Sequence, residues 1–241
     1  MKIAITGANG GLGSLLRKSL EDDHEVITFG RRHSDFAWSL GVVPSPEQLE
    51  GIEAIIHCAW STADRKKDLH LNIGGTGVLS MVAKESHIPF LFISSVAAMS
   101  QSFYGHAKRQ AEDLVLENHG TCLRIGLVKE SNPYLGNAKK FMGIAPRLPG
   151  FVNVTEFKAL ERFSKTWLNQ TQAGHQESEI EMVVSSSILA TSLFAMQYRI
   201  PIPVPYWFLR TLLGSTQSIL LRSSNLMDAM NSLVSSPRIA P

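Results

Sequence analysis

The sequence predicts an α/β fold, a doubly wound parallel sheet with helices on both faces, followed by a small C-terminal lobe. Over residues 1–130, short apolar runs alternate with stretches of helical periodicity. This alternation is typical of βαβ units whose sheet is covered on both faces. A glycine-rich turn also joins the first apolar run to the first helical stretch. We therefore expect residues 1–241 to form a single domain, with 1–130 as its core and 131–241 supplying the remaining sheet elements and the lobe.

The elements of the core follow one another in order along the chain. Near-continuous apolar runs predict strands at 2–6, 24–30, 53–60, 89–95 and 121–128. Helical periodicity predicts helices at 12–23, at 66–86 in spite of three glycines, and at 102–120 with Gly120 as the C-cap. The stretch 30–52 is short and rich in Pro and Gly, which indicates a reduced crossover.

Beyond residue 130 the pattern is looser. We expect a loop-rich stretch over 137–154, helices over 155–170 and 185–198, and an extended segment over 200–205. One or two helices are predicted after it.

Composition narrows the class of protein. Hydrophobic residues make up 44% of the chain and charged residues 18%, which predicts a sizeable core. The net charge of +2 does not indicate a nucleic-acid surface. There is no apolar run of about 18 residues to span a membrane and no signal-peptide pattern. Cys58 and Cys122 lie in predicted strands, so we expect buried free thiols and a reducing, cytoplasmic location. The histidines lack the spacing of a metal site.

The glycine turn "TGANGGLG" predicts an anion site at the start of the first helix. Gly7 suits a tight turn, Gly10 allows close approach of a pyrophosphate, and Gly13 allows helix and strand to pack closely. Free N–H groups and the positive end of the helix dipole favour an anion there. The alternative is a glycine turn without a ligand. We expect a dinucleotide, which Gly11 and Leu12 would also contact.

The end of the second strand bears on the choice of cofactor. An NAD-binding unit typically places an acid here, but this chain has Gly30, Arg31 and Arg32, with no acid before Asp35. A guanidinium can bind a 2′-phosphate that a carboxylate would repel. We therefore predict NADP rather than NAD, the alternative being two solvated surface arginines.

Six segments in order carry a family resemblance: "TGANGGLG", "IIHCAW", "NIGGTGVL", "FISSVAA", "YGHAK" and "LRIGLV". With them the chain resembles the short-chain dehydrogenase/reductase superfamily, and most closely its extended branch, the NAD(P)-dependent epimerase/dehydratase family. The resemblance covers about residues 2–130. It implies a Rossmann-like fold and a small-molecule substrate, in many members a nucleotide sugar, bound on the side of the C-terminal lobe.

The resemblance also implies roles for individual residues. Tyr104 matches the catalytic tyrosine and Lys108 its lysine, while Ser95, with Ser94 as the alternative, matches the substrate-binding serine. Tyr104 and Lys108 are also implied to contact the cofactor. The remaining positions implied to lie along it are Asn72, Gly126, Leu127 and the backbone at Cys58, Ala59 and Trp60.

The implied chemistry is physically reasonable. Tyr104 and Lys108 are four positions apart, so a helix would place them on one face. A free tyrosine has a pKa of about 10, so forming the phenolate that acts as a base costs roughly 4 kcal/mol at pH 7. An ammonium about 4 Å away supplies up to about 4 kcal/mol at an effective dielectric of 20. Since eight residues separate Ser95 from Tyr104, the loop between them must be tight.

The sequence therefore predicts an NADP-dependent oxidoreductase that acts on a carbonyl or an alcohol. Two alternatives remain. An epimerase or dehydratase would use the cofactor transiently, and a sensor or assembly factor would bind NADP(H) without turnover. A pure binder has no need of the pair formed by Tyr104 and Lys108. The oligomeric state is left open, a homodimer included.

Overall fold

The structure is a computed structural model that describes residues 1–61, 65–131, 140–147, 151–175, 177–189, 192, 198–205 and 239. Within these residues the core strands are β1 (Lys2–Thr6), β2 (Glu25–Gly30), β3 (Phe36–Ala37), β4 (Ala54–His57), β5 (Phe90–Ser95) and β6 (Thr121–Ile125). The helices are α1 (Gly11–Leu20), α2 (Pro46–Leu49), α3 (Arg65–Glu85), α4 (Phe103–Glu117) and α5 (Phe157–Gln172). The later strands are β7 (Lys140–Arg147), β8 (Phe151–Val154), β9 (Ile180–Val183), β10 (Ser186–Leu189) and β11 (Tyr198–Pro205).

The main sheet is parallel and has the strand order β3-β2-β1-β4-β5-β6-β9. The predicted Rossmann-like fold is thereby confirmed. The chain runs outward in one direction through β2 and β3 and in the other through β4, β5 and β6. Between β1 and β4 the order reverses. Folds of this kind bind ligands in the crevice at the carboxyl ends of the strands at such a point.

Two apolar cores lie on opposite faces of the sheet. One contains Leu16 and Leu20 of α1 together with Leu160 and Leu168 of α5. The other is formed by residues of α3 and α4, among them Leu79, Ala83, Ala111 and Val115. Both faces of the sheet are therefore covered, which explains why its strands are almost continuously apolar.

Glycines in α3 allow it to pack closely against its neighbours. A Cβ on Gly77 would lie 2.7 Å from a methyl group of Leu114 on α4, and one on Gly75 would lie 2.7 Å from the backbone nitrogen of Gly41. The helix predicted over 66–86 is confirmed. The crossover over 30–52 is reduced as expected, to β3 and the four-residue α2.

Three expectations need correction. The helix predicted over 185–198 is wrong at 186–189, where the chain forms β10 and pairs antiparallel with β8. The stretch predicted to be loop-rich contains β7 and β8, and β7 pairs with β11. The helix α4 ends at Glu117 with Asn118 as its C-cap, so Gly120 does not cap it. Instead, Gly120 packs where a Cβ would lie 2.7 Å from a methyl of Val115.

The helices predicted after residue 205 fall largely outside the described residues. In the part of the chain that is described, no helix has both the length and the hydropathy required to cross a bilayer.

Candidate active site

A cavity of about 350 Å³ opens beside the crevice. Its walls come from the glycine turn, from the residues that follow β4 and β6, from the end of β5, from α4 and from β8. Many of the residues singled out from the sequence contribute to its lining: Leu12, Cys58, Trp60, Ser94, Ser95, Tyr104, Lys108, Gly126 and Leu127. The fold thus brings together side chains that are far apart in the sequence.

The glycine turn leads directly from β1 into α1. Gly7 has φ of +68°, and a Cβ there would lie 2.8 Å from the Ala59 backbone. A Cβ on Gly13 would lie 2.3 Å from the carbonyl oxygen of Gly7. Packing therefore requires glycine at both positions. Gly10 differs, because it is exposed and a Cβ there would approach only the Gly7 oxygen, at 3.2 Å. Its backbone is open to a ligand at the positive end of α1.

Asp35, the first acid after β2, forms hydrogen bonds within the protein. The Asp35 carboxylate accepts hydrogen bonds from the Thr28 backbone N–H at 2.8 Å and from the Thr28 hydroxyl at 2.7 Å. These bonds hold the pKa of Asp35 below its usual range. Arg31 and Arg32, by contrast, are exposed. The edge of the crevice at β2 therefore presents cations, while the carboxylate is turned to β2.

Asn9 supports the loop over residues 31–35 that follows β2, here called the arginine loop, a role that we did not predict from the sequence. The two N–H groups of its amide Nδ2 are shared among three acceptors, the carbonyl oxygens of Arg32 at 2.8 Å and His33 at 3.0 Å and Ser34 Oγ at 2.9 Å. The glycine turn and the arginine loop are thus held together by one side chain. The sequence did contain a signal for this role, since Asn9 places a side-chain amide in the middle of the glycine turn.

The segment between Ser95 and Tyr104 forms the tight loop that the spacing required. A 3₁₀ turn over Val96–Met99 starts at Ser95, whose Oγ accepts from the Ala97 N–H at 3.2 Å. Next, Ser102 caps α4 by accepting from the Gly105 N–H at 3.0 Å. The Arg109 guanidinium donates to the carbonyl oxygens of Ala98 and Ser100. These bonds return the chain to the cavity within eight residues.

Gly105, between Tyr104 and Lys108, allows α4 to approach this loop. A Cβ at Gly105 would lie 2.2 Å from the Ala97 carbonyl oxygen. We did not identify this glycine from the sequence, although it lies inside the motif "YGHAK".

The two candidate serines have different surroundings. The Ser94 hydroxyl is buried and donates to Oε1 of Glu112 at 2.5 Å. The Ser95 hydroxyl lies on the cavity wall and accepts from the backbone, which leaves its own proton for a second partner. The geometry therefore favours Ser95 as the serine that can donate a hydrogen bond into the cavity.

Lys108 is buried beneath the cavity among aromatic rings. Its Nζ donates to the carbonyl oxygen of Ile93 at 3.1 Å and lies 3.8 Å from the centroid of the Trp60 ring. The distances from Nζ to the centroids of Phe92 and Tyr104 are 4.5 Å and 5.9 Å. Burial lowers the pKa of Lys108 to about 7, an effect that the negative charge of Glu112 opposes.

Two polar residues beside β4 have internal partners. The side-chain amide of Asn72 donates to the Ser61 carbonyl oxygen at 2.8 Å and accepts from the Ser61 N–H at 2.7 Å. Asn72 therefore holds the loop that follows β4 and does not line the cavity. His57 is fully buried between the hydroxyl groups of Thr6 and Thr76, and burial lowers its pKa to about 3. His57 is neutral at pH 7.

The far wall of the cavity comes from β8, which we had expected to be part of a loop. The Leu127 N–H donates to the Asn153 carbonyl oxygen at 2.7 Å, and the Gly126 N–H donates to Thr155 Oγ1 at 2.8 Å. A Cβ on Gly126 would lie 2.4 Å from the Asn153 oxygen, so this contact requires glycine.

A parallel sheet with a glycine turn at its switch point is the architecture of dinucleotide-binding α/β proteins. The chain belongs to the NAD dependent epimerase/dehydratase family, whose model matches residues 3–135. The expected family is thus confirmed. One relative, the uncharacterized protein Rv2047c of Mycobacterium tuberculosis (strain ATCC 25618 / H37Rv), is 32% identical over 107 residues. The match covers 39% of this chain and only 12% of that protein.

Several solved structures share the fold. Triphenylmethane reductase of Citrobacter sp., complexed with NADP(H), has a TM-score of 0.71 at 16% identity, over 100% of this chain and 93% of that one. A nucleoside-diphosphate-sugar epimerase of Staphylococcus aureus has a TM-score of 0.69 at 16% identity, over 98% and 91%. The dTDP-4-dehydrorhamnose reductase of Bacillus anthracis str. Ames, in complex with NADP, has a TM-score of 0.64 at 18% identity, over 86% of each chain.

Proposed function

We propose that this protein is an NADP-dependent oxidoreductase that reduces a carbonyl or oxidises an alcohol. The observation that carries the proposal is that Ser95, Tyr104 and Lys108 line one cavity next to the glycine turn. A hydroxyl donor, a phenol and an ammonium at one site suit proton transfer to or from a substrate oxygen.

The residues at the crevice fit a dinucleotide. The open backbone at Gly10 would accept the pyrophosphate, and the exposed Arg31 and Arg32 would bind a 2′-phosphate. The loops after β4 and β6 would line the nicotinamide end, with Cys58 on one side and Gly126 on the other. Ala59 follows Cys58 in the first of these loops. When bound, NADP(H) supplies the hydride chemistry, and the protein supplies position and protons.

In the proposed chemistry Tyr104 exchanges a proton with the substrate oxygen. An ammonium close to a phenol favours the phenolate form, so Lys108 makes this exchange possible near neutral pH. Ser95 donates a hydrogen bond to the same oxygen, which orients it and stabilises negative charge that develops there. Lys108 can act in this way only while it is charged, so turnover should fall as the pH rises through the pKa of Lys108, about 7.

Keto sugars attached to nucleoside diphosphates are the first substrates to test. This choice is supported by the family and by the similarity to the fold of dTDP-4-dehydrorhamnose reductases. A second candidate, an epimerase or dehydratase, is favoured by the family match and by the similar fold of a sugar epimerase. The two are distinguished by net cofactor consumption: a reductase oxidises one NADPH for each product, whereas an epimerase or dehydratase returns the cofactor unchanged.

The first test is cofactor binding. We expect tighter binding of NADPH than of NADH by fluorescence titration. An Arg31→Ala/Arg32→Ala variant should lose about tenfold or more of its NADPH affinity, with little effect on NADH, since each lost charge-assisted bond is worth about 1.5 kcal/mol or more. Equal affinities for the two cofactors in the unaltered protein would contradict the 2′-phosphate site.

The second test is catalysis, in a screen of nucleotide sugars and simple carbonyls with NADPH. With a substrate in hand, Tyr104→Phe should lower turnover by roughly 100-fold or more and leave NADPH affinity almost unchanged. Lys108→Met should lower turnover as well, while Lys84→Met, at an exposed lysine outside the cavity, is the matched control. Full turnover in the Tyr104→Phe variant would refute the mechanism.

A further inference from the structure

The side chain of Trp60 touches both members of the pair proposed for proton transfer. Trp60 follows β4, and its indole stacks on Phe92, with the ring centroids 6.1 Å apart and the planes at 29°. Tyr104 meets the same indole edge-on, at 6.0 Å and 84°. The Lys108 ammonium lies over the face of the indole, 3.8 Å from the ring centroid. One ring therefore contacts the phenol and the ammonium together.

A buried ammonium needs substitutes for the water it has lost. Lys108 is 4% exposed, and its Nζ donates a hydrogen bond to the Ile93 carbonyl oxygen. Within the described part of the chain it forms no ion pair, because Glu112, one turn further along α4, is bound by Arg124. The faces of Trp60 and Phe92 cover the ammonium, and the electron-rich face of an indole is the strongest aromatic partner for a cation.

We propose that Trp60 is a positioning residue that holds the Lys108 ammonium in the cavity and sets its place beside Tyr104. The inference rests on the proposed function and extends it, since the resemblance assigned to this position only a length of backbone along the cofactor. In this proposal it is the indole side chain of Trp60 that contributes to the reaction, because it holds Lys108 in place.

The other titratable groups around Lys108 make this idea testable by pH. From β4 and the residue that follows it come His57, with a pKa of about 3, and Cys58, whose pKa burial raises to about 12. From β6 comes Cys122, whose pKa burial raises further. From α4 come Tyr104 and Glu112, the latter paired with Arg124. Neither of the cysteines nor His57 changes charge between pH 6 and 9, so a titration of Lys108 in that range is not confused with theirs.

The first experiment measures the titration of Lys108 directly by NMR on protein carrying ¹³C,¹⁵N-labelled lysine, with Lys108→Met to assign the signal. Trp60→Leu removes the ring and should lower the titration midpoint by about one pH unit. The indole face stabilises the ammonium more than the neutral amine, so its removal favours the neutral form. Trp60→Phe should lower it by less. Trp38→Phe is the matched control, since that tryptophan packs against His57 in the core and should leave the midpoint unchanged.

A midpoint that stays in place in folded Trp60→Leu protein overturns the proposal. If that variant does not fold, Trp60→Phe decides: a midpoint equal to that of the unaltered protein overturns the proposal, and a lowered one supports it. This measurement needs neither cofactor nor substrate, so its result does not depend on the proposed oxidoreductase activity.

The second experiment connects the ring to the reaction. In the active enzyme, the pH at which turnover falls on the alkaline side should move down in Trp60→Phe by the same amount as the NMR midpoint, with no such move in Trp38→Phe. A shifted midpoint combined with an unshifted pH profile would show that Trp60 holds Lys108 without serving the reaction, and would overturn the positioning role. Absence of any turnover in the unaltered protein would count against the proposed function instead.

Discussion

Substitution of Glu112 by glutamine removes the charge at the centre of a buried polar network behind the cavity. The carboxylate is 1% exposed and accepts from Arg124 Nε at 3.0 Å, from Arg124 Nη2 at 2.6 Å and from Ser94 Oγ at 2.5 Å. Glutamine has the same shape, but its amide provides one acceptor oxygen in place of two. The change therefore leaves the Arg124 cation without its counter-charge and removes at least one charge-assisted hydrogen bond.

The size of the effect follows from burial. Breaking a fully buried ion pair by removing one partner costs about 3–5 kcal/mol. The Arg124 side chain is 18% exposed, so its guanidinium can reach water and the cost is lower. We expect Glu112→Gln to lower the free energy of unfolding by about 2–3 kcal/mol. For a chain of this length the melting temperature should fall by roughly 5–10 °C.

Urea unfolding followed by circular dichroism measures this loss. The matched control is Lys165→Gln, which breaks an ion pair with Asp23 of 2.9 Å whose side chains are 37% and 58% exposed. No measurable change is expected there, because water screens the pair. The double variant Glu112→Gln/Arg124→Met should be more stable than Glu112→Gln alone, since it carries no unpaired cation. A Glu112→Gln variant as stable as the control would refute the reasoning.

Two further predictions concern glycines. Gly10→Val should abolish NADPH binding in the fluorescence titration, because the side chain would occupy the space proposed for the pyrophosphate. Circular dichroism should show a native fold, because a Cβ there approaches only the Gly7 oxygen. Normal binding by the folded variant would place the phosphate site elsewhere. Gly105→Ala should lower the urea midpoint, because its Cβ would lie 2.2 Å from the Ala97 oxygen. A Cβ at Gly74 has no atom within 4 Å, so Gly74→Ala should stabilise α3 by about 1 kcal/mol. Stabilisation by both substitutions would contradict the close contact at α4.

The order of strands and helices could be read from the sequence because it depends on local patterns. Apolar runs, helical periodicity and the glycines of the first turn each act within a few residues, and these features predict βαβ units wherever they occur. The pair Tyr104 and Lys108 was visible for the same reason, since a separation of four places both residues on one helix face. In the C-terminal part, the segment 186–189 was predicted wrongly because its strand depends on β8, which lies more than 30 residues earlier in the chain.

Only the tertiary structure decided how the side chains of the site are used. The resemblance preferred Ser95 but left Ser94 as an alternative. In the structure the Ser94 hydroxyl donates to Glu112, whereas the Ser95 hydroxyl accepts from the Ala97 N–H at the cavity wall. The burial of Lys108 under the Trp60 indole likewise joins two elements that are 48 positions apart. Local chemistry sets which elements form, whereas the partner of each polar group depends on which elements the sheet brings side by side.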